Sequence, residues 1–256
     1  MDLMTVLGLA IGAGAIYIVM LHGDVVYLLV NLDAAILVFG GTLGSTMIAF
    51  PFKTIIQLPR AVKLIFFPPP KINIGSLLKD MAVLSAEAKK SGIMTLSDAK
   101  LRTKDHFLSE NIKKIADGVE KDIIIENMRQ EIFSVAQRHE SSSGVLQAMA
   151  TFSPIFGLLG TLIGVIQVLK NLQDPQSMGA SMAIAVTTTF YGIFGANFLF
   201  LPASLKLGEY SKEEILAKEL IAEGLESVLN GEVPSITTRR LDAFLSKQIR
   251  AKQEYS

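Results

Sequence analysis

The sequence predicts an all-α polytopic membrane protein: four transmembrane helices, with a helical cytoplasmic domain between the second and the third. Three observations carry that prediction. Of the 256 residues, 50% are hydrophobic and only 19% are charged, against about 25% charged in an ordinary soluble domain. The apolar residues are gathered into four long runs nearly free of ionisable groups, and the charges are gathered between and after them. No region reads as rich in strands.

The first run, residues 3–21, contains no charge, and at ~1.5 Å per residue it covers most of a ~30 Å hydrocarbon core. A cleaved signal peptide is the competing reading, but the run has no basic leader, opens with Asp2 and is followed within a few residues by a second apolar segment. The second run, residues 28–50, holds Asp33 as its only ionisable group and closes at Pro51 and Lys53. The third and fourth, residues 145–169 and 181–205, contain no Asp, Glu, Lys, Arg or His.

Fifteen Lys and Arg residues fall in 53–138, eight in 206–252, and Lys170 is the only other one. Positive charge near membrane ends stays on the cytoplasmic side. Both termini and the middle segment are therefore predicted to be cytoplasmic, with only short links near 22–27 and 170–179 on the far side. The predicted organisation is spans one and two in 1–52, a cytoplasmic helical domain with an interfacial helix in 53–144, spans three and four in 145–205, and a cytoplasmic helical tail in 206–256.

Within the middle segment, residues 53–67 mix Lys53, Arg60 and Lys63 with aliphatic and aromatic side chains, as a helix lying in the headgroup plane does, with Phe66 and Phe67 dipping inward. Three prolines at 68–70 end it. Helical spacing continues over 74–90 with a stop at Gly92, over 103–116, and over 122–139. The last of these runs into span three with no proline, predicting one rod from cytoplasm into membrane. The tail forms a further helix over 209–229, ended near Asn230 and Gly231.

Several functions are disfavoured by composition. Twenty-four basic residues balance 24 acidic ones, which denies a nucleic-acid binder its basic footprint. There are no cysteines, and the three histidines show no metal-ligand spacing. No phosphate loop, zinc-protease motif or serine with a base in the same layer is present. Neither an enzyme nor a resident cofactor is expected.

What remains is concentrated in spans three and four. Gly157, Gly160 and Gly164 recur at helical spacing, which lets a neighbouring backbone approach. Span four carries Thr187, Thr188, Thr189, Tyr191 and Asn197, polar groups that in lipid must turn toward protein or water. The two spans line either an interface or a hydrated path. Pro154 and Pro202 each remove a backbone donor and predict a kink, either tolerated or used as a hinge. A proton or sodium relay calls for an intramembrane carboxylate, and these spans have none, while Asp33 lies near the outer boundary. Either the chain does not conduct, or a partner brings the acid.

Four sequence stretches resemble one family. Residues 32–42 (LDAAILVFGGT), 153–164 (SPIFGLLGTLIG), 188–192 (TTFYG) and 197–202 (NFLFLP), with the four-span layout, are similar to MotA/PomA, the larger stator subunit of the bacterial flagellar motor. The resemblance implies an inner-membrane ring, a homo-oligomer of five copies. It implies a MotB/PomB-type partner that supplies the ion-binding Asp, transport of H+ or Na+ with no cofactor, and torque on the rotor protein FliG. Pro154 and Pro202 match prolines implicated in torque. Thr161, Thr188 and Thr189 fall at the ion path, Thr161 and Thr189 at hydroxyl positions of sodium-driven members, which tilts the expected ion toward Na+. Asp33 matches an acid near the outer mouth.

The rotor-facing motif is reproduced in part by residues 88–98 (AKKSGIMTLSD). Lys89 and Lys90 fit its basic pair, Ser97 stands where Glu is usual, and Asp98 is the nearest acid. A solvated charged loop is the competing reading, fitting Lys100 as well as a contact does and Lys89 and Lys90 less well. The ExbB/TolQ energisers resemble the same two core spans, but have one span before their first large cytoplasmic segment where this chain has two. A scaffold without ion flux would not need the threonines, and a secondary transporter would show inverted symmetry.

Overall fold

The computed structural model describes residues 2–24, 26–68, 70, 73–170 and 172–244. Among these residues there are helices and turns but no strand, and four helices are long and apolar enough to cross a membrane. The chain forms two compact units: residues 1–69 with 139–210, and residues 70–138 with 211–256.

The first unit holds the spans. Leu3–His22 is capped by Asp2, whose carboxylate accepts the Met4 N–H at 3.2 Å. None of its residues is buried within the chain, as befits a helix apolar on every side. The second span begins at Leu32 rather than 28. Asn31 is extended and its side chain accepts the Ala34 N–H at 2.9 Å, so it caps the helix and leaves Val26–Leu29 as a separate 3₁₀ turn. The span contains a π turn at Ile36–Gly40 and stops at Ala49, before extended Phe50 and Pro51.

The amphipathic segment after Pro51 is two pieces, Phe52–Ile55 and Leu58–Phe66. Ala61 and Ile65 are buried against Val145, Leu146, Met149 and Leu207, while Lys53, Arg60 and Lys63 are exposed. Phe66 packs on that cluster, but Phe67 is 53% exposed and does not dip inward with it. The helix has ended, and Phe67 takes a non-helical conformation ahead of the prolines.

Lys121–Lys170 is a single helix of 50 residues, as its unbroken pattern predicts, and it passes through Pro154. The fourth span begins at Pro175, earlier than the expected 181, and runs to Phe194. A π turn follows at Gly195–Phe200, and then Leu201–Leu229. The expected separate tail helix is thus continuous with the span, since no proline after Pro202 interrupts it.

The second unit has a dense apolar core. Leu77, Met81, Leu84, Leu108, Leu220 and Leu225 are all fully buried in one cluster, contributed by Ile74–Ser91, His106–Ala116 and Leu201–Leu229. Gly92 closes the first of these helices at φ +91°, a backbone conformation that favours glycine. Asp105 caps the second, accepting the Leu108 N–H at 2.9 Å, so that helix begins at His106 rather than 103. Asp80, 1% exposed, accepts the N–H groups of Arg102 and Thr103 at 2.9 and 2.8 Å. Both carboxylate oxygens of this buried acid are thereby satisfied by backbone donors.

Candidate functional site

The third and fourth spans meet along a seam of small residues. A Cβ placed on Gly157 would stand 2.9 Å from the Thr188 carbonyl oxygen and 3.2 Å from the Gly192 Cα. On Gly192 it would stand 2.8 Å from the Ser153 carbonyl oxygen, and on Gly164 2.9 Å from that of Ser181. Gly160 faces the Thr188 side chain with no room for a methyl group. Three glycines on one helix and one on the other therefore bring the backbones together, the packing available in lipid, where burial away from water supplies no drive. Ser153, fully buried, adds a hydrogen bond from its hydroxyl to the Gly192 carbonyl at 3.0 Å.

Two threonine hydroxyls meet at this seam. Thr161 and Thr189 are hydrogen-bonded to each other, with Thr161 Oγ1 3.1 Å from the Gly157 carbonyl oxygen and 3.3 Å from that of Ala185. Thr189 Oγ1 lies 3.2 Å from the same Ala185 oxygen. Both threonines are half-buried. The result is a cluster of neutral oxygens, two of them hydroxyls that can rotate to offer a proton or a lone pair. Hard cations take oxygen ligands of this kind, but no fixed negative charge stands in either span to hold one. Among the described residues no group of His, Asp or Glu converges as a metal site would require.

Thr188 is placed differently from its neighbour. It is fully buried, wedged against Gly160, and donates to the Ala185 carbonyl at 2.9 Å, so its hydroxyl is committed inside the seam. Pro154 backs directly on Gly192, its Cα 3.2 Å from where a Cβ there would lie. Pro202 follows the π turn Gly195–Phe200. It cannot donate to the Phe198 carbonyl, and a preceding π turn is a common accompaniment of such a lost donor. Asp33 is exposed in the first turn of the second span, where the positive end of the helix dipole favours an acid. Lys89 and Lys90 are exposed in the last turn of Ile74–Ser91. Ser97 is exposed in the 3₁₀ segment Ile93–Asp98, and the side chain of Asp98 lies outside those described.

Further contacts, some local and some between distant residues, surround the seam. The Tyr191 hydroxyl donates to the Leu29 carbonyl and its ring lies 6.0 Å from that of Phe39, joining the fourth span to the second. Thr42 and Thr46, buried in the second span, return their hydroxyls to carbonyls one turn back at 2.6 and 2.7 Å. At the other end Asp2 pairs with Lys206, which also bonds Thr5. The Lys206 hydrogen bond is the main cause that holds the Asp2 carboxyl down at about 2.

Fold and seam together define a four-span, all-helical membrane protein with an oxygen-lined junction between its last two spans and no acid of its own there. Residues 99–220 match the model of the MotA/TolQ/ExbB proton channel family. Over 98% of its length the chain is 32% identical to YtxD of Bacillus subtilis (strain 168), covering 93% of that protein. It is 30% identical to motility protein A of Borreliella burgdorferi, over 98% of this chain and 97% of that one. The flagellar MotAB stator complex of Bacillus subtilis contains a chain that superposes with a TM-score of 0.85 at 26% identity, covering 96% of this chain and 97% of that one. The chain belongs to the motility protein A family, the family of flagellar motor stator subunits.

Proposed function

We propose that this chain is the ring-forming subunit of a flagellar stator. With a MotB/PomB-type partner, it would couple the flow of H+ or Na+ down its gradient to torque on the rotor. The observation that carries the reading is the Thr161–Thr189 hydroxyl pair on a close-packed seam without any carboxylate. Such a seam can assist an ion but cannot bind and release one alone, so the partner's membrane helix supplies the acid. Thr161 and Thr189 line the path, Thr188 sets the spacing of the two helices, and Asp33 stands at the outer mouth.

Pro154 and Pro202 flank the polar stretch and are the positions at which the two helices can change shape when the partner's acid is protonated or loaded. Lys89 and Lys90, with Asp98, form the contact with the rotor protein FliG. Exposed pairs contribute only about 0–1 kcal/mol each, so this contact steers more than it binds. Five copies surrounding the partner in the inner membrane, with both termini cytoplasmic, complete the assembly; the grouping of Lys and Arg in 53–138 and 206–252 supports that orientation.

The test is motility of a stator-null strain carrying this chain with its cognate partner, followed across Na+ concentrations at fixed pH. Rescue is expected, and swimming speed that rises with Na+ would assign sodium as the ion. Speed indifferent to Na+ would assign protons. Failure to rescue would contradict the stator reading.

A further inference from the structure

The fourth span is covered on three sides by helices of its own unit. Thr188 and Gly192 lie against Gly160 and Gly157 of the third span. Gly195 faces Phe39 of the second, whose Cε1 would stand 3.3 Å from a Cβ there. Phe198 fills the space beside Gly12 of the first. The remaining side carries Met182, Val186, Thr189, Ile193 and Asn197, each three or four residues from the next and so on one face of the helix. Thr189 is half-buried and the other four are exposed.

Asn197 is the second polar residue of that row. It stands about 12 Å from Thr189 along the axis, at ~1.5 Å per residue, within the π turn Gly195–Phe200 that precedes Pro202. Such turns recur at functional sites. Its Nδ2 donates to the Ile193 carbonyl at 3.1 Å, which turns Oδ1, the other arm of the planar amide, away from that carbonyl. Among the described residues no group donates to Oδ1. An amide oxygen left bare in hydrocarbon is costly, so lipid does not cover this face at Asn197.

We propose that Asn197 Oδ1 is a second oxygen station on the ion path, receiving the cation from the Thr161–Thr189 pair on its way to the cytoplasm. This inference rests on the stator reading and extends its path by one contact. The face that presents Thr189 presents Asn197 as well, so what passes along one meets the other. With Nδ2 held by the helix's own backbone, the free end of the side chain is an acceptor, the kind of group that ligates a hard cation or holds water around it.

The test is ion flux in proteoliposomes holding the full chain with its cognate partner, read with entrapped Na+ and pH indicators, alongside the amount of partner that copurifies. Asn197→Leu should lower the flux about tenfold, the effect of losing one hydrogen-bonding contact to a charged species, with the partner copurifying as in the wild type. Asn197→Gln keeps an amide oxygen and should retain most of the flux. Asn197→Asp adds negative charge on the path and should lower the cation concentration at half-maximal flux, a shift that a purely structural role would not produce. No flux through the wild-type complex would overturn the stator reading, and this inference with it. Wild-type flux through Asn197→Leu, or loss of the partner from that variant, would overturn the role of Asn197 alone and place the residue in a packing contact.

Discussion

The two units of this chain are packed by different means, and the difference reflects the solvent each was built for. In the unit of residues 70–138 and 211–256, large side chains such as Leu84, Leu220 and Leu225 are withdrawn into one cluster, as the expulsion of apolar surface from water requires. In the unit that contains the spans, Ile48, Leu158 and Ile166 are 89%, 61% and 65% exposed. What is buried there includes Thr42, Thr46, Ser153 and Thr188, each with a hydroxyl bonded to a carbonyl. The unit of the spans thus leaves outward many large apolar side chains of the kind the other unit withdraws, and returns its buried hydroxyls to its own carbonyls. A polar oxygen cluster can sit at the seam of the spans only because everything around it is lipid-compatible.

Substitutions in the two units should therefore fail differently. The largest effect is expected in the dense core: Leu220→Ala leaves a cavity and should cost about 2–5 kcal/mol, read as a lowered thermal midpoint of the purified protein. A Leu→Ala change of similar size at exposed Leu158 should leave that midpoint nearly unaltered. If the two changes cost the same, the contrast between the units is wrong.

In the spans the sensitive residues are the smallest ones. Gly157→Ala forces a methyl group against the Thr188 carbonyl and the Gly192 backbone, an overpacking that should cost about 1–3 kcal/mol. Gly44→Ala, which meets nothing within 4 Å, should cost nothing measurable. Equal thermal midpoints for the two variants would show that the seam is looser than its geometry.

The smallest effect concerns the tie between Asp2 and Lys206. Because the Asp2 carboxyl is lowered from 3.8 to about 2, the contact stabilises fully above the ordinary carboxylate range and is lost as pH falls toward about 2. Asp2→Asn should lower the thermal midpoint slightly at neutral pH and flatten the acid arm, with variant and wild type converging as pH falls toward about 2. An unchanged acid arm would assign the profile to other carboxylates.

The parts of this molecule written as local pattern were legible in the sequence. The four spans follow from nearly uncharged length, the 50-residue helix from a pattern with no proline between 122 and 153, and Gly157, Gly160 and Gly164 as packing residues from their helical spacing. The parts that depend on distant partners were not. Nothing in residues 1–10 indicates that Asp2 meets Lys206, and nothing near Asp80 indicates that its carboxylate holds Arg102 and Thr103. The π turns at Ile36–Gly40 and Gly195–Phe200 carry no periodic signature of their own. Thr188 and Thr189 look alike in sequence, and only the position of Gly160 separates the wedge from the half-buried hydroxyl.

The central claim is that the oxygen-lined seam lacks the acid it needs and borrows it from another subunit. Proteoliposomes loaded with a sodium or pH indicator and containing this chain alone should show no cation flux above that of empty vesicles. Co-reconstitution with a MotB/PomB-type partner freed of any plug should open a flux that disappears when the partner's membrane aspartate is replaced by asparagine. Sustained H+ or Na+ flux through this chain without a partner would contradict the account.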